Sequence, residues 1–186
     1  MSELLFTFGL AISIASQGGV HVKDDAWIVQ QIASANELFA PAGVSFRWTL
    51  EKALADAHAA MHSPADRDDL SALTEKTGSV DVFLVSELED IDEPGRMRKG
   101  VVWTHKPDGK RYVVLSAAAP IGVLAHELGH FFGNPHTKVE DNVMSYLRSG
   151  GPTAFDDDQI ARIGQFSRNF FASGRLLEVG VPRRMP

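Results

Sequence analysis

The sequence predicts one α+β domain with a mostly sequential twisted sheet, and three observations carry that expectation. Apolar residues alternate at period two near the start, which places Leu4, Phe6, Phe8, Leu10, Ile12 and Ile14 on one face of a strand. They then recur at helical spacing, as Ile28, Ile32, Ala35 and Phe39. Segments of both kinds continue along all 186 residues without an internal repeat, a low-complexity stretch or a linker. A chain of this length buries a sizeable core without staples.

The elements follow in order. SQGG ends the first strand in a turn, and Asp24-Asp25 cap a helix that starts near Ala26 and is closed by Pro41 and Gly43. Val44, Phe46 and Trp48 alternate as a second strand. Residues 51–77 are expected to be helical in two pieces, broken at Ser63-Pro64, where serine serves as N-cap and proline as the first helical residue. Val80–Val85 is a buried strand, and residues 101–104 and 111–115 flank KPDGK as a hairpin. A helix from about residue 119 to 132 follows. Residues 133–154 are irregular and rich in Gly, Pro, Asn and Ser, and a last helix covers about 156–172. Asp156, Asp157 and Asp158 open that helix, where acids favour the dipole, so capping is expected there rather than calcium binding.

Composition narrows the function classes. Hydrophobic content of 44% with 23% charged residues is ordinary for a soluble globular protein. A net charge of −6 argues against nucleic acid or an anionic membrane surface as the main partner, and Arg183-Arg184 in the tail is read as a solvated end. No apolar run is long enough to insert in a bilayer. Glu3 stands where a signal peptide would be positive, so the N-terminal apolar stretch is read as a strand and no targeting signal is evident. There is no cysteine, so any metal must be held by His, Asp, Glu or water.

Three of the seven histidines fall within HELGHFFGNPH, residues 126–136. On a helix, His126 and His130 project from one face a single turn apart, near enough for both ring nitrogens to meet one Zn²⁺ at about 2.0–2.1 Å. Glu127 lies beside the first ligand and can reach a bound water without being a ligand. Gly133 has the freedom in φ to end the helix and turn the chain, bringing His136 back as a third ligand. Three protein nitrogens leave a fourth position for water, the arrangement of a catalytic rather than a structural zinc. With this composition about one shuffled chain in a hundred contains H-E-x-x-H, and fewer than about one in ten thousand adds the glycine and the last histidine.

HELGHFFGNPH, followed eight residues on by Met144 in NVMSY, resembles the metzincin zinc metallopeptidases. The segment DDAWIVQQIASANELFAPAGVSF looks more loosely like the backing helix and second strand of pappalysin-type members. The resemblance implies a catalytic domain with a backing helix, a zinc helix and a C-terminal helix, divided into subdomains at about 1–133 and 134–186. It implies one catalytic Zn²⁺ and hydrolysis of a protein or peptide substrate, with Glu127 as general base. It further implies a Met-turn at Met144 forming an apolar floor for the histidines, and Tyr146 stabilising the oxyanion. The strand Gly100, Val101, Val102, Trp103 and Thr104 falls where the family pairs extended substrate, and Trp103 and His105 are candidates to face the cleft. The family is largely secreted, which implies a secreted or periplasmic location. Oligomeric state, substrate preference and the means of latency are not legible, and no cysteine is available to act as a switch.

Two other readings stay open at this level: a zinc-bound recognition domain without turnover, and a zinc hydrolase of a non-protein amide. The intact Glu127 speaks against the first. His58 and His62 share the spacing of the motif on an expected helix but have no third ligand, and His21 is read as a solvated loop residue.

Overall fold

The computed structural model describes residues 6–75 and 78–180, so Leu4 and Arg183-Arg184 lie outside the described residues. Strand β1 (Phe6–Gln17) follows the predicted alternation: Phe8, Leu10, Ile12 and Ile14 sit in one apolar cluster, while Ala15 belongs to a second cluster across the sheet. Both faces of β1 are therefore covered, as expected for a strand inside a largely parallel sheet. Gly18 and Gly19, both with positive φ, turn the chain into the short β2 (Val20–His21).

Helix α1 (Asp25–Phe39) starts where Asp24 accepts a hydrogen bond from Trp27 N at 2.9 Å. It buries Ile28, Ile32, Ala35 and Phe39 against the sheet. Strand β3 (Val44–Leu54) runs parallel to β1. It is longer than predicted, and this overturns the first of the two helical pieces expected after residue 50. The exposed Glu-Lys-Ala run there reads as helix locally, but pairing with the second half of β1 holds it extended. Chain from 55 to 62 is a short 3₁₀ turn and the two-residue β4 (Ala60–Met61). The second piece forms as α2 (Pro64–Asp69), opened by Ser63 in a capping box with Asp66 and continued by a 3₁₀ turn.

Strands β5 (Val80–Val85), β6 (Glu87–Leu88), β7 (Gly100–Thr104) and β8 (Arg111–Ser116) follow. The main sheet runs β3, β1, β5, β8, β7, with β2 paired to the end of β1. Only β2 and β7 are antiparallel to their neighbours, and β7 forms an edge beside β8. Helices α1, α3 (Val123–Phe131) and α4 (Asp157–Ala172) surround the larger cluster. Phe132 is its hub, with ring centroids 5.5–6.1 Å from those of Phe8, Phe39, Phe46, Phe131 and Phe170. The smaller cluster, with Leu54, Met61, Leu70, Phe83 and Tyr112, is roofed by the chain between β3 and β5. No helix among the described residues is long and apolar enough to cross a membrane.

Candidate metal centre and cleft

Helix α3 carries the first two histidines, and side chains from elsewhere hold both of its ends. Its N-cap is Gly122, φ 96°, which has no side chain to cap with. Gln31, buried on α1, takes that role: its Oε1 accepts from Gly122 N at 3.1 Å and Leu124 N at 3.2 Å, and its Nε2 donates to Pro120 O at 2.8 Å. The other end closes in a Schellman motif, with Gly133 N donating to His130 O at 2.9 Å and Asn134 N to Gly129 O at 3.0 Å. Gly133 has φ 88°, and a Cβ there would also meet the Phe166 ring at 2.5 Å. Arg111 of β8 adds its guanidinium, donating to Phe131 O at 3.0 Å and His130 O at 2.7 Å, a cation at the negative end of the helix dipole.

The three histidines converge. His136 Nε2 lies 3.3 Å from His126 Nε2 and 3.0 Å from His130 Nε2. Two nitrogens bound tetrahedrally at about 2.0–2.1 Å sit roughly 3.3 Å apart, so the cluster is near the size a zinc ion requires. His126 Nδ1 is 2.7 Å from Val143 O, and His130 Nδ1 is 2.7 Å from Asn134 O. A carbonyl only accepts, so each Nδ1 carries the proton and each Nε2 keeps its lone pair for a metal. Burial pushes all three imidazoles toward the neutral form, His130 to about 4. Among the described residues this is the one cluster of three or more metal-binding side chains.

Glu127 is buried next to the histidines, and burial pushes its carboxyl up to about 8, against the pull of Arg98 and the Val102 N–H. Gly100 makes room for it: a Cβ there would come within 2.8 Å of both Glu127 Cγ and Oε1. Met144 is wholly buried beneath the helix, and a Cβ on Gly129 would strike its sulfur at 2.4 Å. Its turn is held from α4. Gln159, in a capping box with Asp156, accepts from Asn142 Nδ2 at 2.9 Å, and Asn142 Oδ1 accepts from Met144 N at 2.8 Å. Asp156 is thus a cap, as its position implied. The Tyr146 ring lies 4.8 Å from that of His136 and 5.5 Å from that of His126, with most of its surface in solvent.

The cleft has two lobes, of about 470 and about 360 Å³, and Glu127, Tyr146, Arg98 and Gly100 line both. Trp103 faces the opposite side of the sheet, where its Nε1 donates to Asp68 at 2.7 Å. His105 bonds Asp108 at 2.6 Å in the hairpin turn. His58 ends a 3₁₀ turn and His62 precedes the cap of α2, so the helix expected to pair them is absent, and His62 instead meets Glu89 at 3.1 Å. Gln31, Arg111 and Arg98 were not singled out from the sequence. Gln31 left a trace, as the one polar residue on the buried stripe of α1. Arg111 left another, as the charged start of an otherwise apolar strand.

No protein-family model matches the chain, and no curated protein matches it by sequence. Solved structures do. Mirolysin in complex with compound 9 aligns over 88% of this chain and 91% of its own, at 13% identity and a TM-score of 0.65. A second mirolysin structure, from Tannerella forsythia and in complex with a cleaved peptide, gives 0.62 at 13% identity over the same shares of the two chains. Metalloproteinase-II from Bacteroides fragilis gives 0.61 at 14% identity, over 89% of this chain and 54% of its own. Archaemetzincin from Methanopyrus kandleri gives 0.58 at 18% identity, over 87% and 96%. The fold is therefore that of the metzincin-type metallopeptidases.

Proposed function

We propose that this chain is a zinc-dependent endopeptidase. The observation that carries the reading is the meeting of three histidine Nε2 atoms beside the buried Glu127, at the foot of a sheet edge. His126, His130 and His136 would hold a single Zn²⁺. Bound there, zinc would supply Lewis acidity and make water a better acid. Glu127, anchored one turn from His130, takes a proton from water onto its carboxylate and returns it to the leaving amine. The outer edge of β7, Gly100–Thr104, offers an extended peptide main-chain hydrogen bonds with little demand on its sequence. Tyr146 extends over the histidines to donate to the oxyanion, and Met144 forms the floor. The two subdomains, divided near residue 133, form the walls on either side of the peptide.

The test uses zinc-loaded protein and denatured casein. Cleavage should stop with a chelator and return with zinc. Glu127→Gln should keep zinc while losing roughly 10²–10⁴-fold in turnover. Undiminished cleavage by the purified variant overturns the mechanism, and tight zinc without any cleavage overturns the peptidase reading. Tyr146→Phe should lower turnover by roughly 10²-fold with zinc retained.

A further inference from the structure

We infer that the larger lobe of the cleft selects peptides that bring a carboxylate close to the bond being cut, and that Arg98 and Arg148 read that carboxylate. The inference rests on the endopeptidase reading for its substrate and on the lining of the lobe for its chemistry. Four cations line this lobe: Arg96, Arg98, Lys99 and Arg148. Glu127 is the one carboxylate among its lining residues, and the proposed reaction already uses it. The chain as a whole carries a net charge of −6, so this density of positive charge is local and opposite in sign to the molecule.

Two of the four are accounted for in different ways. Arg96 is exposed and paired with Glu93 at 2.7 Å. Arg98 is anchored from behind: its Nε meets the buried Asp90 carboxylate at 2.7 Å. The strip that carries it is tied to the end of β6 and the residues just after, with Arg98 N donating to Leu88 O at 2.7 Å and Asp90 N donating to Arg96 O at 2.7 Å. One edge of the guanidinium is therefore fixed, which orients the whole planar group in the cleft wall and lowers the entropy cost of a second carboxylate. Arg98 is close enough for its charge to act on Glu127, His136 and Tyr146.

Arg148 lines the same lobe from another segment, four residues beyond Met144. Its Nη1 donates to Asn142 O at 3.1 Å and Leu147 O at 3.0 Å, so backbone carbonyls fix it, and among the described residues no carboxylate pairs with it. Its charge reaches His126. Lys99, exposed beside them, adds to the field without a fixed position. A glutamate or aspartate side chain, or the terminal carboxylate of a short peptide, supplies the anion that two such guanidinium groups recognise. A neutral amide of the same shape does not.

The test compares amide-capped peptides in which one Glu is walked through a neutral Gln and Ala background, with the all-Gln peptide and its free acid as further arms. The zinc-loaded enzyme should cleave the best Glu peptide at least tenfold faster in kcat/KM than its Gln counterpart, and 0.5 M NaCl should shrink the difference. Arg98→Gln with Arg148→Gln should erase it. Because Arg98→Gln strands Asp90, Arg98→Lys serves as the second variant and should restore part of the preference. A preference among the capped peptides assigns the side-chain carboxylate, and one confined to the free acid assigns the terminus. Equal cleavage of Glu and Gln peptides, or a preference that survives the double variant, overturns the inference and leaves the peptidase standing. Binding to zinc-loaded Glu127→Gln, read by fluorescence anisotropy, supplies the second readout. Tighter binding of Glu peptides there, with no cleavage by the wild type, keeps the inference and removes the peptidase.

Discussion

Two pairs of histidines four residues apart, His126/His130 and His58/His62, reach opposite ends in the fold. The first pair stands on a helix, one turn apart, and closes on His136. The second is divided between a 3₁₀ turn and the residue before a helix cap, and His62 turns to Glu89. The spacing is the same, so spacing did not decide. The deciding factor is whether the rest of the chain makes a helix of the four residues and then holds their outer nitrogens. Around His126 and His130 it does both: Gln31 and Arg111 hold the two helix ends, and Val143 O and Asn134 O hold each Nδ1. Around His58 and His62, parallel pairing of β3 with β1 draws the preceding chain out straight.

The largest break in this comparison is Phe132→Ala. Phe132 is fully buried, and it joins the end of α3 to β1, α1, β3 and α4 through ring contacts. Removing a buried phenyl ring costs about 3–5 kcal/mol, transfer and cavity together. Urea unfolding should lose that much, and zinc affinity should fall with it, because the helix that presents His126 and His130 loses its anchor.

The next break takes away the borrowed caps. Gln31→Leu keeps the volume but leaves Gly122 N, Leu124 N and Pro120 O without the partners described above, at a cost of about 2–3 kcal/mol. Arg111→Met takes the guanidinium from Phe131 O and from His130 O, which keeps its bond from Gly133 N, at about 1–2 kcal/mol. Both should weaken zinc binding beyond their effect on unfolding, since each frees the end nearest one ligand. Equal zinc affinity in both variants would mean that the histidine geometry is local to the motif.

These caps mark the limit of what the sequence discloses. The histidine cluster was legible because HELGHFFGNPH is local: a helical spacing, a glycine that must turn, and a third histidine within reach. The KPDGK hairpin and the Asp24, Ser63 and Asp156 caps were legible for the same reason, each partner lying within a few residues. Gln31 reaches partners 89 to 93 residues away, and nothing near it announces them. The extension of β3 was misread because its exposed Glu51, Lys52 and Ala53 favour helix until β1 pairs with them. Arg98 was passed over because its meaning comes from Asp90 behind it and from Glu127, on which its charge acts.

Gly129→Ala sharpens the comparison from inside the helix. An exposed helical glycine changed to alanine gains about 1 kcal/mol. Here the new methyl would stand 2.4 Å from the sulfur of a methionine that has no free space. Overpacking of that kind costs about 1–3 kcal/mol. The two effects oppose, and the clash wins because Met144 N is bonded to Asn142 and its O accepts from Thr137 N, so the turn cannot retreat. A net loss of up to about 2 kcal/mol is expected, with zinc affinity lowered as the floor beneath His126 and His130 shifts.

The smallest effect belongs to the other pair. His58→Ala with His62→Ala removes two imidazoles at the same spacing as His126 and His130. His62 is more than half exposed, and its contacts are with Glu89 at 3.1 Å and Glu87 at 4.0 Å. Exposed pairs of this kind contribute at most about 1 kcal/mol and are screened by salt. Stability at neutral pH should therefore change by less than about 1 kcal/mol. The protein should still take up one zinc with unchanged affinity, measured by competition with a chromogenic chelator. A fall to less than one zinc, or the loss of a second one, would show that the two pairs are alike after all. The argument from helix ends and held nitrogens would then fail, because the pair lacking both would be binding metal.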